Sequence, residues 1–177
     1  MNHDDHVSLL RGAELSPGGT WADLGAGTGA FTLALRELVG PDAVIFAVDK
    51  DRSSLAELHR RYERHFGEAS GLRILHADLQ AIRDLPPLDG VLMANSLHFF
   101  KDKARLLNRV RGMLKPGGLL LLVEYNVDRG NPWVRYPLSF STFKSAARAA
   151  GFEAPRLVAT HPSGFLREFY SASAVSR

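Results

Sequence analysis

The stretch Trp21-Ala22-Asp23-Leu24-Gly25-Ala26-Gly27-Thr28-Gly29-Ala30 decides the fold of this chain. Its apolar start predicts a buried strand, and apolar residues at helical spacing from Phe31 to Leu38 predict a helix that stops before Gly40. A glycine-rich turn between a strand and a helix lets the backbone approach a nucleotide and points the helix N-terminus at it. The stretch therefore predicts a nucleotide-type ligand. Its glycine spacing also satisfies the dinucleotide-binding fingerprint, so the spacing alone does not say which ligand of this type binds.

Apolar runs alternate with helical patterns along the rest of the chain. The runs that predict strands lie at 21–24, 43–48, 72–76, 90–94 and 119–125. The patterns that predict helices lie at 30–39, 52–66, 102–113 and 139–150. This alternation predicts a parallel sheet with helices packed against it. Two shorter runs, 156–160 and 165–171, surround a turn-rich segment and predict a C-terminal hairpin.

Length and composition restrict the class of protein. A chain of 177 residues, 45% of them hydrophobic, predicts a single domain over 1–177 with a short N-terminal segment, 1–19. The absence of cysteine excludes a disulfide framework, a thiolate metal site and a catalytic thiol. The longest aliphatic run, Leu119 to Val123, is far shorter than the roughly 20 residues that cross a bilayer. We therefore expect a soluble, cytoplasmic protein with no membrane partner.

The basic character of the chain comes from one segment. The formal net charge is +3, and residues 101–115 alone hold six Lys or Arg against Asp102, a local charge of +5. Such a segment could contact phosphates, but a charge run on an amphipathic helix is usually a solvated face. Nucleic-acid binding is therefore an alternative that the sequence does not favour.

Two acidic residues follow successive predicted strands. Asp49 closes the second strand, 20 residues after Gly29, where an acid accepts hydrogen bonds from ribose hydroxyls. Asp78 follows the third strand. Asp49 therefore indicates a ligand that contains a nucleoside. It does not say whether that ligand is a dinucleotide, because other nucleoside sites also have an acid at this place.

Five segments together resemble the class I S-adenosylmethionine-dependent methyltransferases over roughly residues 20 to 173: Asp23 to Gly29, Asp49, Asp78, Asp89 to His98, and Leu114 to Gly118. The resemblance implies a doubly wound, mostly parallel seven-stranded α/β sheet with an antiparallel C-terminal edge strand. It also implies S-adenosylmethionine as the methyl donor and S-adenosylhomocysteine as its product. The resemblance assigns cofactor contacts to Asp23, Gly25, Gly27, Gly29, Asp49, Asp78, Leu79 and Asn95.

The resemblance also narrows the methyl acceptor. Family members that methylate nucleobase amino groups often carry Asn-Pro-Pro-Tyr or Asp-Pro-Pro-Tyr after the fourth strand, where this chain has Asn95-Ser96-Leu97-His98. Members that methylate cytosine C5 or arsenic use cysteines, which this chain lacks. The remaining branch acts on small molecules and other diverse acceptors. We therefore expect a small-molecule acceptor, with RNA as the alternative.

His98 is the candidate catalytic residue. It follows the fourth strand, where the family places the methyl group and the acceptor, and a neutral imidazole can take a proton from a hydroxyl or amine. Alternatively, His98 caps the next turn or packs with Phe99 and Phe100. Glu124 and Tyr125, at the end of the fifth strand, lie on the same rim in this fold and are weaker candidates.

Two further features allow more than one interpretation. The loop 126–137 holds Trp133 and Tyr136 and is predicted to close over the acceptor as a lid; alternatively, these rings pack on the last helix as core. His3 and His6 are metal-ligand types, but nothing else with ligand spacing accompanies them, so we expect a flexible terminus and no metal site.

The sequence bears on two other functions. A nicotinamide-dependent oxidoreductase would need a substrate domain or a Tyr-x-x-x-Lys pair, and neither is present; Tyr170, for example, is followed four residues later by Ala174. A cofactor-binding pseudoenzyme or regulatory module stays open as an alternative, because methyl transfer requires no diagnostic side chain.

Overall fold

The computed structural model describes residues 1–82 and 85–177. Seven strands lie in these ranges: β1 (Thr20–Leu24), β2 (Val44–Asp49), β3 (Leu72–His76), β4 (Leu88–Ala94), β5 (Leu114–Tyr125), β6 (Phe152–Pro162) and β7 (Glu168–Ser176). The described α-helices are α1 (His3–Arg11), α2 (Ala30–Val39), α3 (Arg52–Phe66), α4 (Lys103–Met113) and α5 (Phe140–Ala149). A 3-10 turn, Leu97–Phe99, follows β4.

The strands form one sheet in the order β3-β2-β1-β4-β5-β7-β6. Strands β1 to β5 run parallel, and β7 is antiparallel to both β5 and β6. The predicted doubly wound, mostly parallel α/β sheet with an antiparallel C-terminal strand is confirmed. The reversed strand is β7, which lies one place inside the edge, and the edge strand itself is β6. Because β1 lies between β2 and β4, the chain changes direction along the sheet there, and the crevice beyond their carboxyl ends is where such sheets bind ligands.

Helices cover both faces of the sheet. Alternate residues of a strand point to opposite faces, and in β4 Met93 packs on the side of α4 and α5 whereas Leu92 packs on the side of α1 and α2. Helix α3 joins α2 over β2 and β3, where Leu58 and Tyr62 are fully buried. Burial on both faces explains why the central strands are continuous apolar runs.

The N-terminal segment is a helix, so the prediction of a flexible terminus is wrong. The Asn2 side chain accepts a hydrogen bond from the Asp5 backbone, and the Asp5 side chain accepts one from the Asn2 backbone, which forms a capping box at the start of α1. Val7, Leu9 and Leu10 bury the inner face of α1 against α2 and β6. The Asn-x-x-Asp spacing before an apolar stripe was a signal for this helix.

Strand β5 begins earlier than its apolar run. Leu114 pairs with Leu88 and Leu119 pairs with Gly90, so the four residues between Leu114 and Leu119 bulge out of the ladder. The Pro-Gly-Gly sequence at 116–118 suits such an irregularity because proline cannot donate a ladder hydrogen bond. The tail strands are also longer than predicted. Among the described residues, no helix is both long and apolar enough to cross a membrane.

Candidate cofactor and acceptor site

Two cavities lie at the carboxyl ends of β1 to β4. The Asp78 cavity has a volume of about 320 Å³ and includes Asp78 and Leu79 in its wall. The Asp23 cavity has a volume of about 340 Å³ and includes Asp23 and Gly27. The cavities share four wall residues, namely Gly25, Asp49, Asn95 and Phe99. They therefore form one groove whose two ends differ in chemistry.

Seven of the eight predicted cofactor contacts line this groove. They are Asp23, Gly25, Gly27, Asp49, Asp78, Leu79 and Asn95. Gly29 is not among the lining residues of either cavity, and neither is His98. Part of the wall was not predicted from the sequence: Phe99 lines both cavities, and Met1, just before α1, and His6, within α1, line the Asp23 cavity.

The three glycines of the loop after β1 have different surroundings. All three have positive φ angles, which favour glycine. A Cβ on Gly25 would lie 2.6 Å from Cβ of Ser96, and a Cβ on Gly29 would lie 2.6 Å from Cγ of Leu58. A Cβ on Gly27 would meet no atom within 4 Å. Gly25 and Gly29 are therefore needed for packing within the chain, whereas Gly27 faces the open groove.

Asp49 links the glycine loop to α3. Its Oδ2 accepts a hydrogen bond of 2.8 Å from the Gly27 backbone, and its Oδ1 accepts one of 2.9 Å from the Asp51 backbone. A carboxylate can accept about four hydrogen bonds, so Asp49 keeps acceptor capacity on its half-exposed side. Asp78, further along the groove, is exposed and accepts a hydrogen bond of 2.8 Å from the Gln80 backbone.

Two buried oxygens beside the groove have no partner among the described residues: Oδ1 of Asp23 and Oδ1 of Asn95. The other carboxylate oxygen of Asp23 accepts a hydrogen bond of 2.6 Å from the Thr32 hydroxyl. Burial raises the pKa of Asp23 to about 7, against the lowering effect of the Thr32 hydrogen bond and with a smaller contribution from the charge of Asp49. An unpaired buried polar oxygen is unfavourable, so a ligand that brings N–H donors to this end of the groove fits the site.

His98 is held by Glu124 and lies next to the groove residue Phe99. Nδ1 of His98 lies 2.8 Å from Oε2 of Glu124, and the His98 backbone N–H donates a 3.0 Å hydrogen bond to Oε1 of the same carboxylate. Both residues are buried, with exposed fractions of 4% and 0%. The second ring nitrogen, Nε2, makes no hydrogen bond with the described residues. The ring of His98 lies 4.3 Å from that of Phe99, centroid to centroid, and Phe99 forms the groove wall.

Aromatic rings continue from His98 to the surface. The ring of Tyr125 lies 6.2 Å from His98 and 6.1 Å from Phe165, and Phe165 lies 6.2 Å from Trp133. We call Phe99, Tyr125, Trp133 and Phe165 the aromatic rim. Trp133 is 71% exposed, so the alternative in which its ring packs as core is wrong.

The loop after β5 is attached to the turn that carries His98. The Tyr136 backbone N–H donates a 2.9 Å hydrogen bond to the His98 carbonyl. The Lys103 ammonium donates to the carbonyls of Leu97, Phe100 and Tyr136. Val134 is buried beneath the loop while Trp133 projects outward. The loop is thus fixed beside His98 at one end and free to offer aromatic surface at its tip.

Much of the basic charge in the segment 101–115 is used within the chain. Besides Lys103, Arg109 donates to the Ile82 carbonyl, and Lys115 lies 2.7 Å from a carboxylate oxygen of Asp89. Arg105, by contrast, is exposed on α4. Of these contacts, the pair of Lys115 with Asp89 offsets one charge, whereas backbone carbonyls hold Lys103 and Arg109 against the chain without neutralising them.

Comparison with known proteins agrees with this geometry. The family model described as "Methyltransferase domain" matches residues 22–120. The chain belongs to this methyltransferase family. The predicted resemblance to class I S-adenosylmethionine-dependent methyltransferases is thereby confirmed, and with it the predicted cofactor.

Individual relatives support the family assignment. The chain is 35% identical over 127 residues to a carboxy-S-adenosyl-L-methionine synthase of Ectopseudomonas mendocina, covering 68% of this chain and 51% of the relative. It is 33% identical over 165 residues to the acetylserotonin O-methyltransferase of Mus musculus, covering 90% of this chain and 42% of the relative. The chain thus spans about half the length of the curated relatives it matches.

A solved structure supports the fold. A SAM-dependent methyltransferase from Aquifex aeolicus superimposes with a TM-score of 0.76 at 20% identity, covering 98% of this chain and 90% of that one. At this identity the likeness concerns the arrangement of the sheet and helices.

Proposed function

We propose that this methyltransferase-family chain transfers a methyl group from S-adenosylmethionine to a hydroxyl or amine of a small molecule, with His98 as general base. The observation that carries the proposal is the buried hydrogen bond between His98 and Glu124, next to Phe99 in the wall of the groove that holds the family's cofactor motifs. A carboxylate that accepts the Nδ1–H of a histidine leaves Nε2 as the free acceptor. The imidazole is then oriented to accept a proton.

The groove residues fit the cofactor. Seven side chains and backbone positions would hold it: Asp23, Gly25, Gly27, Asp49, Asp78, Leu79 and Asn95. Asp49 suits ribose hydroxyls, and the unpaired oxygens of Asp23 and Asn95 suit the ammonium group of the methionine part. When bound, the cofactor supplies an electrophilic methyl group whose departing thioether is neutral.

The chain itself aligns the acceptor and removes its proton. Glu124 fixes both the backbone and the ring of His98, so the imidazole loses little freedom on reaction. Positive charge that develops on the imidazole would be stabilised by the buried carboxylate. Such a general base typically contributes roughly 10²–10⁴-fold to rate.

The aromatic rim favours a small acceptor with an apolar, flat body. Exposed rings are unfavourable in water unless they cover or bind something, and here Phe99, Trp133 and Phe165 are 59%, 71% and 52% exposed. One relative is named for O-methylation of acetylserotonin, a small molecule. We further propose that the loop 126–137 closes over this acceptor as a lid. A cytoplasmic location remains part of the proposal, and the cysteine-free sequence is compatible with it.

A panel of acceptors tests the function. Phenols, aliphatic alcohols, amines, carbon acids and an RNA pool are each incubated with the chain and S-adenosylmethionine, and release of S-adenosylhomocysteine is measured. We expect release with a hydroxyl or amine acceptor and none with RNA. Release with RNA alone would replace the small-molecule proposal. Cofactor binding without release from any acceptor would favour a regulatory module.

The glycine loop gives a matched pair of variants. Gly27→Ala should fold, with a cost of about 1–2 kcal/mol for a left-handed alanine, but lose S-adenosylhomocysteine binding because the methyl group enters the groove. Gly29→Ala should lose more stability, because its methyl group overlaps Leu58, and keep affinity in the molecules that fold. Thermal unfolding followed by circular dichroism and calorimetric titration separate the two effects. Parent-like affinity of Gly27→Ala would show that the loop is only a turn.

The pKa of Asp23, raised to about 7, predicts how ligand affinity depends on pH. Below pH 7 the carboxyl takes up a proton and loses the charge that would pair with the ligand ammonium. Affinity for S-adenosylhomocysteine should therefore fall by up to about tenfold per pH unit below pH 7 and level off above it. Calorimetry between pH 5 and 8 measures this slope. Asp23→Asn should abolish it, whereas Asp78→Asn should retain it.

Asp23 has the opposite effect on the stability of the unbound chain. Between the unfolded pKa of 3.8 and the folded value of about 7, the folded state holds a proton that the unfolded chain releases. The contribution of Asp23 to the free energy of unfolding is thus fully present below pH 3.8 and is lost as the pH rises through 7.

The lid proposal is tested at Trp133. Because this side chain is 71% exposed, Trp133→Ala should change the free energy of unfolding by less than about 0.5 kcal/mol. It should keep S-adenosylhomocysteine affinity and lower turnover of the acceptor by about tenfold or more if the loop closes over the acceptor. Leu157→Ala, an exposed apolar residue on β6, is the control. Equal turnover of both variants and the parent would contradict the lid.

A further inference from the structure

Two histidines and one glutamate from three helices meet away from the groove. His3 lies on α1, Glu37 on α2 and His65 on α3. Nε2 of His3 lies 2.7 Å from Oε2 of Glu37, and the ring centroids of His3 and His65 are 4.7 Å apart. One ligand atom of each residue lies within 4.8 Å of the other two. None of the three lines the Asp78 or Asp23 cavity.

The three donors have the chemistry of a transition-metal site. Two imidazole nitrogens and one carboxylate oxygen are the protein ligands of many zinc sites that keep a fourth position open for water. Zinc binds such donors at about 2.0–2.2 Å, so the side chains must close in by small rotations. They are free to do so because the side chains of His3 and Glu37 are 29% and 42% exposed and His65 is exposed.

Other histidine–carboxylate pairs among the described residues lack a third ligand. His59 lies 3.2 Å from Glu63 within α3, and His161 lies 3.3 Å from Asp5. Within residues 1–82 and 85–177, the cluster of His3, Glu37 and His65 is the one group of three or more candidate ligands. The convergence of three helices distinguishes it from an ordinary surface ion pair.

We propose that His3, Glu37 and His65 bind a zinc-class divalent ion that ties α1 to α2 and α3. Helix α1 is also held by its apolar face and by the contact of Asp5 with His161 on β6, and the N-terminal segment supplies Met1 and His6 to the wall of the Asp23 cavity. A metal at this position fixes that wall from outside the groove. This revises the expectation of no metal site, because that expectation considered only ligands near His3 in the sequence.

The test uses protein without a polyhistidine tag. Zinc titration by calorimetry should show one ion per chain, and zinc at about 100 times its dissociation constant should raise the thermal midpoint by about 5 °C or more, whereas magnesium should not. Removing one of three ligands, as in His65→Ala, should weaken zinc binding by about 100-fold or more. His59→Ala, another exposed histidine of α3, should bind zinc as the parent does.

The folding of His65→Ala can be checked without metal. His65 is exposed, so metal-free His65→Ala should unfold at the temperature of the parent, which shows that its loss of binding is not a loss of folding. Absence of zinc binding by the parent at millimolar concentration would overturn the proposal and leave His3 and Glu37 as an ion pair. Equal zinc binding by His65→Ala and His59→Ala would overturn it as well. Neither result depends on methyl transfer.

Discussion

Replacing His98 with asparagine should lower turnover by roughly 10²–10⁴-fold while leaving affinity for S-adenosylhomocysteine unchanged. The asparagine amide can still donate a hydrogen bond to Glu124, so the buried carboxylate keeps a partner, but no imidazole remains to accept a proton. Steady-state turnover of the acceptor found in the panel and calorimetric titration with S-adenosylhomocysteine measure the two quantities. The asparagine variant is preferable to His98→Ala, which would leave only the backbone N–H on Glu124 and Oε2 of that buried carboxylate without its partner, at a cost of about 1–3 kcal/mol.

Two controls define what His98 does. Glu124→Gln retains an acceptor for the His98 backbone but removes the charge that stabilises a protonated ring, so turnover should fall while the cofactor still binds. His59→Ala, on the exposed face of α3, should have parent-like turnover. If His98→Asn also turns over like the parent, then His98 only packs against Phe99 and the acceptor needs no base.

Replacing Asp49 with alanine should weaken S-adenosylhomocysteine binding by about 1.5–3 kcal/mol, or roughly 10–150-fold, the scale of a lost charge-assisted hydrogen bond. Part of the effect would come from the glycine loop, because Asp49 also accepts the Gly27 N–H. Calorimetric titration of the variant and the parent gives the difference directly. Asp49→Asn should lose less affinity than Asp49→Ala, since the asparagine side chain retains one carbonyl acceptor.

The neighbouring Asp51 is the matched control for Asp49. Asp51 caps α3 by accepting hydrogen bonds from Ser53 and Ser54, which hold its pKa at about 2, and it does not line the groove. Asp51→Ala should therefore cost about 1 kcal/mol of stability with no change in affinity. An equal loss of affinity in both variants would show that Asp49 does not bind the ligand directly and that its replacement acts by destabilising α3.

The sheet and most of the groove could be predicted from the sequence because they depend on local patterns. The glycine loop, Asp49 and Asp78 each follow a strand, and parallel strands end at the same edge of a sheet. The order of the strands therefore brings the residues at their carboxyl ends together at one edge of the sheet. Helix α1 was missed because its nine residues include several charged and polar ones, although its capping box was visible.

Contacts between distant residues could not be predicted in the same way. The sequence places both His98 and Glu124 on the rim, but their hydrogen bond depends on the 3-10 turn that carries His98. That turn follows Asn95, which has a left-handed backbone with a φ of 52°. The convergence of His3, Glu37 and His65 depends on how three helices pack. A spacing rule along the chain carries no information about either arrangement.

Calorimetric titration of the purified chain with S-adenosylhomocysteine, NAD and NADP tests the central claim most directly. The groove described here should bind one S-adenosylhomocysteine per chain, with affinity that Asp49→Ala reduces, and should give no heat with either dinucleotide. Binding of NAD or NADP without any response to S-adenosylhomocysteine would contradict the assignment of the groove and, with it, the proposed methyl transfer.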